Sequence, residues 1–217
     1  MKNKFSYRIL VMAVLTLIIV IYTYMQADDK IVIHWNLNGD ADGYAPKLIL
    51  LALPFLIPAV DWLMILVMRL EPRKNNMRKS AVGYHTVRFI IAALLFTCTL
   101  LTCVDTLYPK TLKINVIAPF LVGVMIMIIG NILPKIHSNY TIGIRNRWTL
   151  ENEAIWRKTQ RLSGRLWFIG GIVICILSLL LVIHRLVLLF IIFTIIIFPN
   201  LYAYYLYQKM RKEKTYD

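Results

Sequence analysis

Six apolar stretches dominate the chain: residues 5–25, 48–68, 86–104, 115–133, 166–183 and 186–207. Most approach the roughly 20 residues needed to cross a hydrocarbon core of about 30 Å. The pattern predicts an all-α integral membrane protein, six transmembrane helices in one bundle. The first stretch ends in tyrosines and Gln26-Ala27-Asp28-Asp29, not in a small-residue cleavage site, so it reads as a retained helix and not a signal peptide.

Two segments break the pattern. In residues 27–47, Ile31, Ile33, Trp35 and Leu37 alternate with Val32, His34 and Asn36, a period of two that predicts a short extended hairpin. Asn38-Gly39 and Asp42-Gly43 are read as turns. Residues 134–165 form the longest polar segment. There Thr149 is read as a helix cap, with Glu151 and Glu153 in the first turn, where the helix dipole favours them. Glu153 is expected to pair with Arg157. Trp148, Ile155, Thr159, Leu162 and Leu166 make one stripe with Trp156 at its edge, which predicts an amphipathic helix lying in the interface between spans four and five. Gly143 would allow a bend that positions Arg145. Gly123 and Gly130, seven residues apart, would allow close helix contact. His184-Arg185 is read as a very tight turn.

Charge decides the orientation. Of 25 Lys and Arg, all but Lys30, Lys47, Lys110, Lys113 and Arg185 fall on the termini, the 69–79 loop with Arg88, or the 134–165 loop. The positive-inside rule then places both termini in the cytoplasm and the 27–47 loop outside. Arg88 is expected to snorkel to the interface. The inner face should attract anionic lipid. The net charge of +14 is spread beside the spans, so it does not point to nucleic acid. The domain reading is residues 1–70 as a two-span unit with the outer loop, 71–114 as a connecting loop and third span, and 115–217 with the polar signature loop.

Candidate chemistry is sparse. Fifty-nine per cent of the residues are hydrophobic, which leaves no soluble domain of useful size. Cys98, Cys103 and Cys175 lie in apolar stretches and give no disulfide framework. Asn38, Asp40, Asp42 and Gly43 start like a calcium loop, but Ile49 stands where the closing glutamate belongs. His34, His85, His137 and His184 are scattered without metal spacing. No nucleophile–base set is present, so neither enzyme activity nor a cofactor is expected. Asp61 is the one acidic residue within a span, read as a proton site or as a carboxylate hydrogen-bonded to a neighbouring helix. His34, Trp35 and Asn36 are read either as interface residues or as an exposed platform for an extracellular ligand.

Two stretches, IGIRNRWTLENEAIWRKTQRLSGRLW from Ile142 and IVIHWNLNGDADGYAPK from Ile31, carry a resemblance. The first resembles the signature of the SdpI family of bacterial immunity proteins. The second resembles a domain that often precedes it. Gln160 stands where the family often has histidine, and Arg147 where proline is common.

The resemblance implies a multi-pass protein of the bacterial cell membrane that confers resistance to a secreted peptide toxin. It also implies, for some members, capture of a cytoplasmic ArsR-type repressor. It nominates His34, Trp35, Asn36, Gly39, Asp42, Gly43, Tyr44 and Lys47 for the toxin. It nominates Asn131, Gly143, Arg145, Trp148, Thr149, Glu153, Trp156, Arg161 and Gly164 for the cytoplasmic face. Two other readings stay open. A small proton-coupled transporter is motivated by Asp61, and a lipid-binding scaffold by the basic face.

Overall fold

A computed structural model describes residues 6–36, 38–181 and 185–216, with the side chains of 185 and 214–216 left aside. Leu37 and the His184 turn therefore lie outside the described residues. In chain order the elements are α1 (Tyr7–Gln26), β1 (Lys30–Trp35), β2 (Ala41–Pro46), a 3-10 turn (Lys47–Ala52), α2 (Leu53–Leu70) and a short α3 (Lys74–Lys79). Then follow α4 (Ala81–Leu107), α5 (Ile114–Ile132), a 3-10 turn (Leu133–Lys135), a short α6 (Arg147–Glu151), α7 (Glu153–Leu179) and α8 (Arg185–Tyr216). Six helical segments are long and apolar enough to cross a membrane. They leave apolar side chains such as Ile18, Phe55, Ile169 and Phe190 bare. In a bilayer those faces meet lipid, while the helices satisfy their own backbone hydrogen bonds.

The chain divides into two compact units: residues 1–67 with 86–119, and residues 68–85 with 120–217. In the first unit the hairpin root is buried. Ile31 joins Val20, Ala27, Leu50 and Cys103 in one apolar cluster. Ile9, Ile57 and Ala92 form another.

Arg88 does not snorkel. It is 2% exposed and binds Asp61, which is 4% exposed, at two points. A two-pronged guanidinium contact with a carboxylate satisfies both charges away from water.

In the second unit α5 and α7 approach through glycines. A Cβ on Gly171 would stand 2.5 Å from the Gly123 carbonyl oxygen, and one on Gly164 would stand 2.7 Å from that of Gly130. Gly123 and Gly130 thus meet a second glycine pair with the same spacing, so the two backbones nearly touch. Ile126, Ile174 and Ile195 pack beside this contact.

The expected interfacial helix is not a separate element. Residues 153–165 are the first turns of α7, which runs unbroken for 27 residues. The expected stripe contains Thr159 but leaves out Gln160, Ser163 and Gly164. The buried face of α7 includes Ile155, Trp156, Thr159, Gln160, Ser163 and Gly164, four of these six polar or small. Trp156 sits within that face, fully buried.

Candidate functional site

Two loop assemblies, one in each unit, contain most of the nominated residues. The first is the hairpin. β1 and β2 pair antiparallel, and the register slips between Val32 and His34 and again between His34 and Trp35. These bulges set His34 opposite Gly43, where a Cβ on the glycine would be 2.7 Å from the His34 Cβ. Asp42-Gly43 is therefore not a turn but an irregularity inside β2. It lets Asp42 reach His34, with Oδ1 2.5 Å from Nδ1 on the exposed face.

The turn proper is built by Asn36. Its side-chain oxygen accepts from the backbone N–H of Asn38 at 2.9 Å and Asp40 at 3.0 Å. Gly39 follows at φ +88°, left-handed backbone that suits glycine.

Trp35 is half-buried and donates its indole N–H to Asp105 Oδ2 at 2.8 Å. Asp105, 5% exposed at the end of α4, also accepts from the Lys110 N–H at 3.2 Å. Lys47 donates to the Ala27 carbonyl and lies 5.3 Å over the Tyr24 ring. Tyr44 stays 59% exposed. Of the eight nominated outer residues, Trp35, Asn36, Gly39, Gly43 and Lys47 thus hold the hairpin in shape. His34, Asp42 and Tyr44 present side chains outward.

The second assembly is the polar segment before α7. Asn146, not Thr149, caps α6. It is extended and accepts from the Thr149 N–H at 2.9 Å, while the Thr149 hydroxyl accepts from the Asn146 N–H at 3.0 Å. This reciprocal box satisfies two N–H groups that a helix start leaves open. Asn152 caps α7 in turn, accepting from Ala154 and Ile155. Glu153 does fall in the first turn of that helix. Among the described residues the i,i+4 ion pair here is Arg147–Glu151, not Glu153–Arg157.

Gly143 sits at φ +116°, and a Cβ there would be 3.0 Å from Gln160 Oε1 and 3.1 Å from Trp156. Gln160, 1% exposed, answers one residue on: Oε1 accepts from the Ile144 N–H and Nε2 donates to the Ile144 carbonyl. Trp156 donates to the Ile136 carbonyl at 2.7 Å. Arg145 donates to the Tyr140 carbonyl. Trp148 packs on Tyr204, with centroids 5.0 Å apart. Gly164 touches Pro134 as well as Gly130. Arg161 and Asn131 are exposed and take no part in this network.

The sequence reading missed what anchors this loop. Glu71 is 2% exposed and its carboxylate accepts from the Tyr140 N–H, the Thr141 hydroxyl at 2.6 Å and the Arg73 N–H at 3.0 Å. Arg73 donates to Ser138 and to the Leu150 carbonyl, and lies 4.9 Å over the Tyr140 ring. Asn76 and Ser80 bind the backbone of Ser138 and His137. A buried carboxylate with several donors is stable away from water. The one available signal was Glu71 itself, the lone acid beside a loop of five cations.

The assemblies have counterparts in known proteins. Residues 135–203 match the SdpI/YfhL protein family, and residues 11–57 match a domain of unknown function, DUF1648. Over 177 residues the chain is 28% identical to the Immunity protein SdpI of Bacillus subtilis (strain 168), covering 82% of this chain and 81% of the relative. No solved structure matches significantly. The second hydrogen-bonded loop, with most of α7 and α8, coincides with the matched family segment, and the hairpin falls inside DUF1648. With six helices long and apolar enough to cross a membrane, the chain is a multi-pass cell-membrane protein whose residues 135–203 match the SdpI/YfhL family.

Proposed function

We propose that this protein is a membrane immunity protein that protects its producer from a secreted peptide toxin. The observation that carries the reading is the relative named Immunity protein SdpI, aligned over four-fifths of both chains. Support comes from the two loop assemblies. Six spans alternate sides, so the hairpin and the 108–113 turn share one face, and the 71–80 and 133–152 segments share the other. With Arg88 buried against Asp61, the remaining cations still lie overwhelmingly on the second face, which the positive-inside rule places in the cytoplasm together with both termini.

On this reading residues 1–70 present the outer hairpin, where His34, Asp42 and Tyr44 face the toxin. Residues 115–217 present the inner loop, which serves as the docking side for a cytoplasmic ArsR-type repressor and for anionic lipid. Exposed Arg145, Arg147 and Arg161 supply its charge. The pairing of Asp61 with Arg88 weighs against the transporter reading.

Expression in a sensitive strain is expected to raise survival against peptides encoded beside the gene. Survival that does not change against any of them would sink the proposal. Single cysteines replacing Tyr44 and Glu153 should label from opposite sides of sealed vesicles, and labelling from one side would overturn the orientation.

A further inference from the structure

A cavity of about 640 Å³ opens in the first unit between the hairpin and the segment that joins α4 to α5. Of the nominated outer residues only Gly39 and Tyr44 line it. Three lysines border it, Lys30, Lys110 and Lys113, all exposed and without a bonded acid among the described residues. Asp105 also lines the cavity, but its oxygens are taken by Trp35 and the Lys110 N–H. Asp28 and Asp40 remain as exposed counter-charges on the hairpin side.

Lys110 is fixed at φ +65°, a strained conformation for a side-chain-bearing residue, held by its N–H on Asp105. This places Lys110 and Lys113 on the short turn between α4 and α5. Val32, Leu112 and Ile114 add apolar wall, and the Thr106 hydroxyl beside them is buried with no hydrogen-bond partner. Exposed ammonium groups beside an apolar wall suit an anionic group attached to apolar side chains, as at the carboxylate end of a hydrophobic peptide.

We infer that this cavity seats the carboxylate-bearing apolar end of an extracellular peptide, with Lys110 and Lys113 taking the carboxylate and Val32, Leu112 and Ile114 the adjoining side chains. The inference rests on the toxin reading above and names where and how the peptide is held. The exposed His34–Asp42 face is then secondary.

The test uses the full chain in phosphatidylcholine nanodiscs, titrated with N-acetyl-trileucine bearing a free carboxylate and with its amide. The carboxylate form should bind about tenfold more tightly, as expected for a charge-assisted contact. Lys110→Gln with Lys113→Gln should abolish that preference, and Lys110→Arg with Lys113→Arg should keep it. Equal affinity for the two peptides, a preference that survives the Gln pair, or competition by phosphatidylglycerol that displaces both peptides alike would overturn the inference. The toxin challenge is scored separately. Survival without a carboxylate preference removes the seat and leaves immunity standing, and a preference without survival does the reverse.

Discussion

Arg88 on α4 grips Asp61 on α2 at two points, Nε to Oδ1 at 2.7 Å and Nη2 to Oδ2 at 2.8 Å, with both side chains 1% exposed. The fork fixes both rotamers and leaves neither charge facing lipid. Each residue alone would be a costly group in the membrane, and together they form a neutral clamp between two spans.

Removing one side of that clamp should therefore be worse than removing both. Arg88→Met or Asp61→Leu alone is expected to cost about 3–5 kcal/mol, because a buried charge is stranded. The double variant should recover most of the loss. Unfolding in mixed micelles reads the three stabilities. A double variant as unstable as the worse single would contradict the clamp.

The α5–α7 contact predicts different fates for adjacent glycines. An alanine methyl at Gly171 would stand 2.5 Å from the Gly123 oxygen and 2.6 Å from the Met127 nitrogen, both backbone atoms that cannot step aside. Gly171→Ala should cost about 1–3 kcal/mol through overpacking. At Gly170 the nearest atoms are methyl tips of Ile195 and Ile191, at 3.2 and 3.4 Å, which can rotate away. Gly170→Ala should be much milder, with better helix propensity offsetting the crowding. Equal losses in a detergent melt would argue against this helix approach.

Glu71 should control the order of residues 136–147. Glu71→Ala leaves the Tyr140 N–H, the Thr141 hydroxyl and the Arg73 N–H without their acceptor. Each unsatisfied group costs about 1–3 kcal/mol. Hydrogen exchange at Tyr140 and Thr141 should accelerate at least tenfold in that variant. Glu71→Gln, which keeps one acceptor oxygen, should fall between it and the parent. Unchanged exchange would mean the carboxylate is not what holds the loop.

Trp35→Phe keeps the ring and deletes the N–H that reaches Asp105. The buried carboxylate then loses its indole donor, at a cost of about 1–3 kcal/mol. Faster hydrogen exchange is expected across β1, β2 and at Lys110, whose N–H shares the same carboxylate. Protection that is retained throughout would show that the hairpin is held by its apolar root alone.

Part of this was legible before any coordinates. Alternation over residues 31–36 gave the strand because period two has few other causes, and the Gly123–Gly130 spacing marked a contact face. Gln160 and Trp156 were legible only as motif members, since nothing local says that one binds Ile144 and the other Ile136. Arg88 was misjudged because snorkelling is the cheapest fate for an arginine near a helix end when no acid is in view, and Asp61 lies 27 residues away. The start of α7 differs from the expected interfacial helix because its buried face carries Gln160 and Ser163 among the apolar residues, which a hydrophobic stripe cannot reveal.

Hydropathy and alternation along the chain were enough for six apolar helices and one extended hairpin. Those properties depend on each residue's own transfer energy and need no partner. The Arg88–Asp61 clamp, the Glu71 anchor, the facing glycine pairs and the lysine-edged cavity came only with three-dimensional packing. Each is a relationship between residues distant in sequence, and its energy exists only once the fold has brought the two groups within bonding distance.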